Sequence, residues 1–142
     1  MSKQTLTTKI DFNAPAAEVW KGITDPELVR QYFFGTILKS DWKVGSPITF
    51  SGEWDGKSYE DKGTILEITP GEYVKYNYWS SMAGTEDQPE NYANISYKVT
   101  EKDGVTSLEI TQDGIKDDAT KAHSEQNWQM VFGGLKKILE EK

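Results

Sequence analysis

The last part of the sequence limits the possible folds most, because it is the one long segment with clear helical periodicity. Between Asp117 and Lys142, apolar side chains recur at intervals of three and four residues, and these are Trp128, Val131, Leu135, Ile138 and Leu139. Asp117 or Asp118 can supply the N-cap oxygen. A helix of about two dozen residues is roughly 36 Å long, which is enough to cross a sheet. We therefore predict one long amphipathic helix that covers a sheet.

The sequence before this helix predicts one strand, two short helices and then a series of hairpins. Alternation from Thr5 to Asn13 indicates the first strand, and Pro15 and Pro26 each indicate the start of a short helix. Turn motifs then separate about six further strands, and these motifs include Asp55-Gly56, Pro70-Gly71 and Asp103-Gly104. Because consecutive hairpins give antiparallel pairing, we predict that residues 1–142 form a single two-layer α+β domain.

Two segments of this predicted sheet have special features. Gly63 lies inside a strand pattern, which suggests a β-bulge. The stretch from Ser80 to Glu90 contains glycine, proline and acidic residues with little to bury, so it is predicted to be an exposed and mobile loop.

Composition and charge exclude several functional classes. The chain has no cysteine, so disulfides, thiolate metal sites and thiol catalysis are ruled out. A formal net charge of −7 argues against a nucleic acid as partner. No apolar run has the form of a signal peptide or the length of a membrane span. We therefore expect a monomeric cytoplasmic protein without membrane insertion.

Residues that could carry catalysis are few. The single histidine, His123, falls in the first half of the predicted long helix, and no serine or threonine pairs with it as a nucleophile. Glu53 could face Glu60 or Asp61 as an acid pair across a hairpin. Strand alternation places Glu53 on the outer face, however, so we expect these acids to be solvated. The sequence thus predicts no catalytic residue, no metal, no cofactor and no enzymatic activity.

Short motifs spread over nearly the whole chain carry a family resemblance. They are Ala14-Pro15 before Val19-Trp20, Thr24-Asp25-Pro26-Glu27-Leu28, Val44-Gly45 before Phe50, Gly63 to Pro70 before Tyr73 to Trp79, Leu108 to Gln112 with Gly114, and finally Trp128, Leu135 and Lys136. In this order they resemble the START/Bet v 1-like helix-grip superfamily, and within it the Hsp90 ATPase activator homologue (AHSA1-like) branch. The resemblance implies a curved antiparallel sheet of about six or seven strands wrapped around the C-terminal helix, with a cavity between sheet and helix.

Aromatic side chains are the candidate lining of such a cavity. Apolar walls with a few hydroxyl or indole donors are typical of small-molecule sites. The candidates are Tyr32, Phe33, Phe50, Trp54, Tyr76, Tyr78, Tyr97 and Trp128. The same side chains could instead fill the interior completely, as an ordinary core.

Three functions follow from the residues and the resemblance together. The first is a non-enzymatic binding domain for a small hydrophobic or aromatic molecule of the lipid, sterol, polyketide or flavonoid class. The alternative is a chaperone-associated interaction module, as the Hsp90-activator branch implies. A polyketide cyclase-like or hydrolase-like enzyme is the third, and it would need a titratable cavity. A large exposed apolar patch would favour the interaction module, whereas an enclosed pocket would favour the binding domain.

Overall fold

Seven strands and three helices make up the part of the chain that the structure describes. This computed structural model describes residues 4–33, 35–54, 56–79, 86–88, 91–115 and 117–140. In chain order the elements are β1 (Gln4–Phe12), α1 (Ala16–Thr24), α2 (Pro26–Tyr32), β2 (Ile37–Ser40), β3 (Pro47–Trp54), β4 (Lys57–Thr69), β5 (Tyr73–Tyr78), β6 (Ala93–Lys102), β7 (Val105–Ile115) and α3 (Asp118–Glu140). This order confirms the predicted sequence of elements.

The strands form one antiparallel sheet in the order β1-β7-β6-β5-β4-β3-β2. Hairpins connect β3 to β4 and β6 to β7. Their turn residues have the positive φ values that such tight turns need, +78° at Gly56, +54° at Asp103 and +82° at Gly104. The predicted α+β fold with an antiparallel sheet is therefore confirmed.

β4 has an irregularity, but the sequence placed it wrongly at Gly63. The register against β5 shifts between Ile65 and Glu67 instead. At Gly63, a Cβ atom would lie 1.7 Å from the carbonyl oxygen of Asn77. The Asn77 side chain also accepts a hydrogen bond from the Thr64 amide at 2.6 Å. Glycine is therefore required here by the close approach of two backbones rather than by an extra residue.

The apolar face of α3 is buried against the sheet and the two short helices. Its buried residues are Val131, Phe132, Leu135 and Leu139. The predicted stripe omitted Phe132, which is only 1% exposed, and it included Ile138, which is half-buried. Phe132 lies four residues after Trp128 and three before Leu135, so the same spacing contains it and could have identified it.

α1 and α2 close the sheet–helix interior at one side. A Cβ atom at Gly22 would lie 2.6 Å from the Leu135 side chain, so α1 packs directly on α3 at this point. The hydroxyl of Tyr32 on α2 donates to the Gly22 carbonyl at 2.8 Å. At the start of α2, the Asp25 carboxylate accepts from the Glu27 amide and so acts as the N-cap, directly before the proline that indicated this helix.

Polar side chains of α3 run along the free edge of β1. The Gln129 amide donates to the Thr8 hydroxyl and to the Lys9 carbonyl, both at 2.8 Å. The Lys136 ammonium donates to the Asp11 carbonyl at 2.6 Å. Because an edge strand otherwise presents unpaired backbone groups, these contacts both fix α3 in place and cover that edge.

Most of the predicted loop from Ser80 to Glu90 lies outside the described residues. Within the described part, residues 86–88 are exposed. There the Asp87 carboxylate accepts from the Tyr92 hydroxyl and pairs with the Lys62 ammonium. No helix in the described ranges is both long and apolar enough to cross a membrane.

Candidate functional site

A cavity of about 230 Å³ lies between the first half of α3 and the inward face of the sheet. Strands β3, β5, β6 and β7 provide its sheet side, and the residue after α2 closes one end. Its lining residues are Phe33, Phe50, Tyr76, Tyr78, Ile95, Gln112, Ser124, Asn127, Trp128 and Val131. The site is therefore mainly aromatic, with a few polar side chains.

Four aromatic rings, centred on Phe50, form the wall away from α3. The Phe50 ring lies 6.2 Å from the Phe33 ring and 5.7 Å, edge-on, from the Tyr78 ring. It also lies 5.9 Å from Tyr76. These centroid separations are those at which aromatic pairs attract one another, so the wall is held by its own contacts.

At the floor of the cavity, two buried phenols are joined by a hydrogen bond. The hydroxyls of Tyr76 and Tyr97 lie 2.7 Å apart. Burial raises the pKa of both phenols well above 10.0, because the charged phenolate would be poorly solvated there. Both groups therefore stay neutral at physiological pH and act as hydrogen-bonding groups rather than as bases.

Trp128 makes directional contacts to three neighbouring side chains. Its indole stacks on Phe132 with an interplanar angle of 7° and a separation of 5.8 Å. The Tyr97 ring meets it edge-on at 6.0 Å. The indole N–H donates to the Gln112 side-chain oxygen at 2.8 Å. α3 and β7 are thus joined at the cavity wall by a polar contact.

The prediction that the acids of the β3–β4 hairpin are solvated is wrong for Asp61. Glu53 and Glu60 are exposed as expected, but Asp61 is only 8% exposed. It pairs with Phe50 across the sheet and therefore shares its inward face. The Tyr78 hydroxyl donates to the Asp61 carboxylate at 2.5 Å. A buried carboxylate thus fixes the hydroxyl of a lining tyrosine.

The rest of the interior is filled. A second group of side chains around Tyr32, Tyr97 and Phe132 encloses only about 10 Å³, room for one water molecule at most. The sequence left two alternatives open, a cavity and a filled core. Each of them describes one part of the space between the sheet and α3.

The structure brings five of the eight predicted site residues together around the cavity: Phe33, Phe50, Tyr76, Tyr78 and Trp128. Tyr32 and Tyr97 lie instead in the filled half, where their hydroxyls bond to Gly22 and to Tyr76. The side chain of Trp54 lies outside the described part of the structure. Whether these residues bind a ligand is a separate proposal, made below.

Sequence reasoning missed five lining residues, although the pattern contained their positions. Alternation along β7 continues inward from Leu108 and Ile110 to Gln112, so a polar residue there was predictable at an inward position. On α3, Ser124 and Asn127 extend the stripe of Trp128 and Val131 toward the N-terminus of the helix. Alternation along β6 likewise places Ile95 on the same inward face as Tyr97.

The polar groups of the described lining are uncharged. They are amides, hydroxyls and an indole. His123 is exposed and is not part of the lining. Across the described ranges, no group of three or more histidine, aspartate or glutamate side chains is arranged to hold a metal ion.

Comparisons with known proteins agree with this geometry. Residues 13–140 match the family described as "Activator of Hsp90 ATPase homolog 1-like protein". The chain belongs to this family. No curated protein gives a significant match to the sequence.

Solved structures place this family member among helix-grip proteins. The solution structure of ChR145 from Cytophaga hutchinsonii is 40% identical, with a TM-score of 0.87 over 99% of this chain and 97% of that one. An HSP90 activator from Plasmodium falciparum is 17% identical, with a TM-score of 0.73 over 96% of each chain. The Aha1 dimer from Colwellia psychrerythraea is 16% identical, with a TM-score of 0.74 over 96% of each chain. At the two lower identities the likeness shows the fold alone.

Proposed function

We propose that this protein is a non-enzymatic binding domain for a small hydrophobic or aromatic molecule. One observation carries the proposal: a cavity of about 230 Å³, walled by aromatic rings, lies open between α3 and the sheet while the rest of the interior is filled. The aromatic rings that line it present apolar surface that a hydrophobic ligand would bury, which is favourable. The fold of the family is consistent with such a role.

The polar groups beside the cavity support binding rather than catalysis. The Tyr76 and Tyr97 hydroxyls bond to each other and are held neutral by burial. The Tyr78 hydroxyl donates its hydrogen bond to the Asp61 carboxylate. General acid–base catalysis needs a group that changes protonation near the operating pH and reaches the substrate, and the tyrosines of this wall do not supply one.

The proposal is tested by an NMR titration of isotope-labelled protein with a panel of apolar compounds, including a fatty acid, a flavonoid and a bicyclic phenol. We expect one or more compounds to shift the signals of Phe50, Tyr78, Ile95 and the Trp128 indole. Val131→Trp places a large ring in the cavity and should abolish these shifts.

Met130→Trp is the matched control for that variant. Met130 precedes Val131 on α3 and is 56% exposed, so the same added ring should point to solvent and leave binding intact. A thermal unfolding curve for each variant shows that it is folded. If no compound shifts the cavity signals of the unmodified protein, or if Val131→Trp still binds, the proposal is wrong.

A chaperone-associated role is the second candidate, because the matching family is described as activators of the Hsp90 ATPase. It is tested with purified Hsp90, by measuring ATP hydrolysis as this protein is added. A saturable rise in the ATPase rate would support the role. An unchanged rate, together with an unchanged NMR spectrum of the labelled protein, would exclude it.

A further inference from the structure

The size of the cavity limits what it can hold. Its volume of about 230 Å³ is below the range of roughly 300–1,000 Å³ that is usual for drug-sized ligands. It corresponds to about eight water molecules at roughly 30 Å³ each. This volume can enclose a molecule of one or two fused rings, whereas a sterol or a long acyl chain would extend out of it into solvent.

The charges around the cavity limit the ligand further. Among the described residues, the lining contains no charged side chain. Directly behind the lining lies the buried Asp61 carboxylate, which accepts a hydrogen bond from the hydroxyl of the lining residue Tyr78. An anion would lose its hydration without gaining a cationic partner, and it would also meet the net charge of −7 on the protein. The cavity therefore favours an uncharged molecule.

The hydroxyls of Tyr76 and Tyr78 bond to Tyr97 and Asp61, and the other polar side chains of the lining are gathered on the side formed by α3 and β7. Ser124 and Asn127 lie three residues apart and therefore share one face of the helix. Gln112 on β7 accepts the Trp128 indole N–H through its side-chain oxygen. That bond leaves the amide N–H groups of Gln112 as donors. The opposite wall of Phe33 and Phe50 offers only rings.

From these three observations we infer the class of the ligand: a small uncharged aromatic molecule of one or two fused rings that carries a hydroxyl or carbonyl group. The rings lie between Phe50 and Trp128, and the polar group lies at Gln112, Ser124 and Asn127. This inference rests on the proposed binding function and narrows it. It excludes fatty-acid carboxylates and sterols, which the sequence alone left possible.

The test compares three probes with the same two-ring body. They are naphthalene, 2-naphthol and 2-naphthoate, and their affinities for the full chain are measured by titration calorimetry or NMR. 2-Naphthol should bind about 3–10-fold more tightly than naphthalene, the gain of one net hydrogen bond. 2-Naphthoate should bind more weakly than either probe.

Removing the polar side chains of Ser124 and Asn127 should remove the preference for 2-naphthol over naphthalene. The double variant Ser124→Ala, Asn127→Ala keeps good helix formers in α3, and we expect it to bring the affinities for 2-naphthol and naphthalene within about 2-fold of each other. Gln126→Ala changes an exposed residue of the same helix that is not part of the lining, so it should keep the preference for 2-naphthol.

The outcomes separate this inference from the function on which it rests. If none of the three probes binds, the ligand class is wrong, and the broader panel described above then decides the binding function. If the probes bind equally, or 2-naphthoate binds most tightly, the binding function stands and the inferred class is wrong. If the double variant still prefers 2-naphthol, the polar end of the ligand does not lie at Ser124 and Asn127.

Discussion

At the scale of single residues, the paired phenols of Tyr76 and Tyr97 show how the cavity floor depends on hydrogen bonding. Each hydroxyl is the other's partner at 2.7 Å, and the two residues are 2% and 5% exposed. Tyr97→Phe leaves the Tyr76 hydroxyl buried without this partner and should lower the free energy of unfolding by about 1–3 kcal/mol.

The double variant Tyr76→Phe, Tyr97→Phe should be more stable than the single variant, because it leaves no buried hydroxyl unpaired. Urea unfolding of both single variants and of the double variant gives the coupling energy directly. Strictly additive losses would show that the two hydroxyls do not stabilise each other.

Trp128 and Phe132 stack on each other but should differ in their contribution to stability. Phe132 is 1% exposed and lies within 6 Å of three aromatic rings, so Phe132→Ala should cost about 3–5 kcal/mol. Trp128 lines the cavity and is half-buried, so Trp128→Ala should cost about 2 kcal/mol. Denaturant midpoints measure both losses, and a larger loss for Trp128 would mean that it, rather than Phe132, anchors α3.

At the scale of elements, substitution by alanine should have opposite effects on stability at two glycines, Gly63 in β4 and Gly133 in α3. In β4, a Cβ atom at Gly63 would lie 1.7 Å from the Asn77 carbonyl oxygen, so Gly63→Ala forces β4 and β5 apart. We expect a loss of about 3 kcal/mol or more, comparable to overpacking a core. In α3, a Cβ atom at Gly133 would meet nothing within 4 Å.

Gly133→Ala is therefore the counterpart of Gly63→Ala, and it should stabilise the protein. Alanine in place of glycine within a helix contributes about 0.5–1 kcal/mol. Thermal unfolding of the two variants should move the midpoint in opposite directions. A Gly63→Ala protein as stable as the original would mean that the two strands are not as close as described.

The contact between the end of α3 and the start of α1 should depend on pH. The Glu140 carboxylate accepts from the Lys136 ammonium at 3.0 Å and from the amide and side chain of Asn13 at 3.2 Å. The bond from Lys136 is the main cause that lowers the pKa of Glu140 below 4.5. Because the folded pKa lies below the unfolded one, this stabilisation is present above pH 4.5 and is lost as the pH falls through the folded value.

A comparison of the original protein with Glu140→Gln tests this dependence. Their difference in unfolding free energy should be largest near neutral pH and should disappear in acid, and added salt should reduce it. Glu125→Gln, at an exposed position of the same helix, serves as control. A difference that does not change between neutral pH and acid would contradict the assigned role of Glu140.

At the scale of the whole molecule, the sequence was sufficient for the fold because its local patterns agree with one another. Turn residues such as Gly56 and Gly104, the prolines that start short helices and the long apolar stripe all support the same α+β arrangement. The position of the cavity was less predictable. Alternation shows that Tyr76 and Tyr97 both point inward, but only the packed structure shows that Tyr97 lies in the filled half.

The buried Asp61 could not be recognised from the sequence for a related reason. An acid inside a strand is usually solvated, and its burial depends on a partner, Tyr78, that lies on another strand. Gln112 was predictable in position but not in role. Its role depends on the indole of Trp128, which reaches it from the opposite layer.

The central claim is that a small aromatic molecule enters the space between α3 and the sheet. The most direct measurement is an isotope-filtered NOE experiment on labelled protein mixed with unlabelled 2-naphthol. We predict NOEs from the ring protons of the ligand to the methyl groups of Ile95 and Val131, which line the cavity on opposite sides. NOEs to the exposed methyl groups of Val44 or Val105 instead, or no NOE to Ile95 and Val131, would contradict the claim.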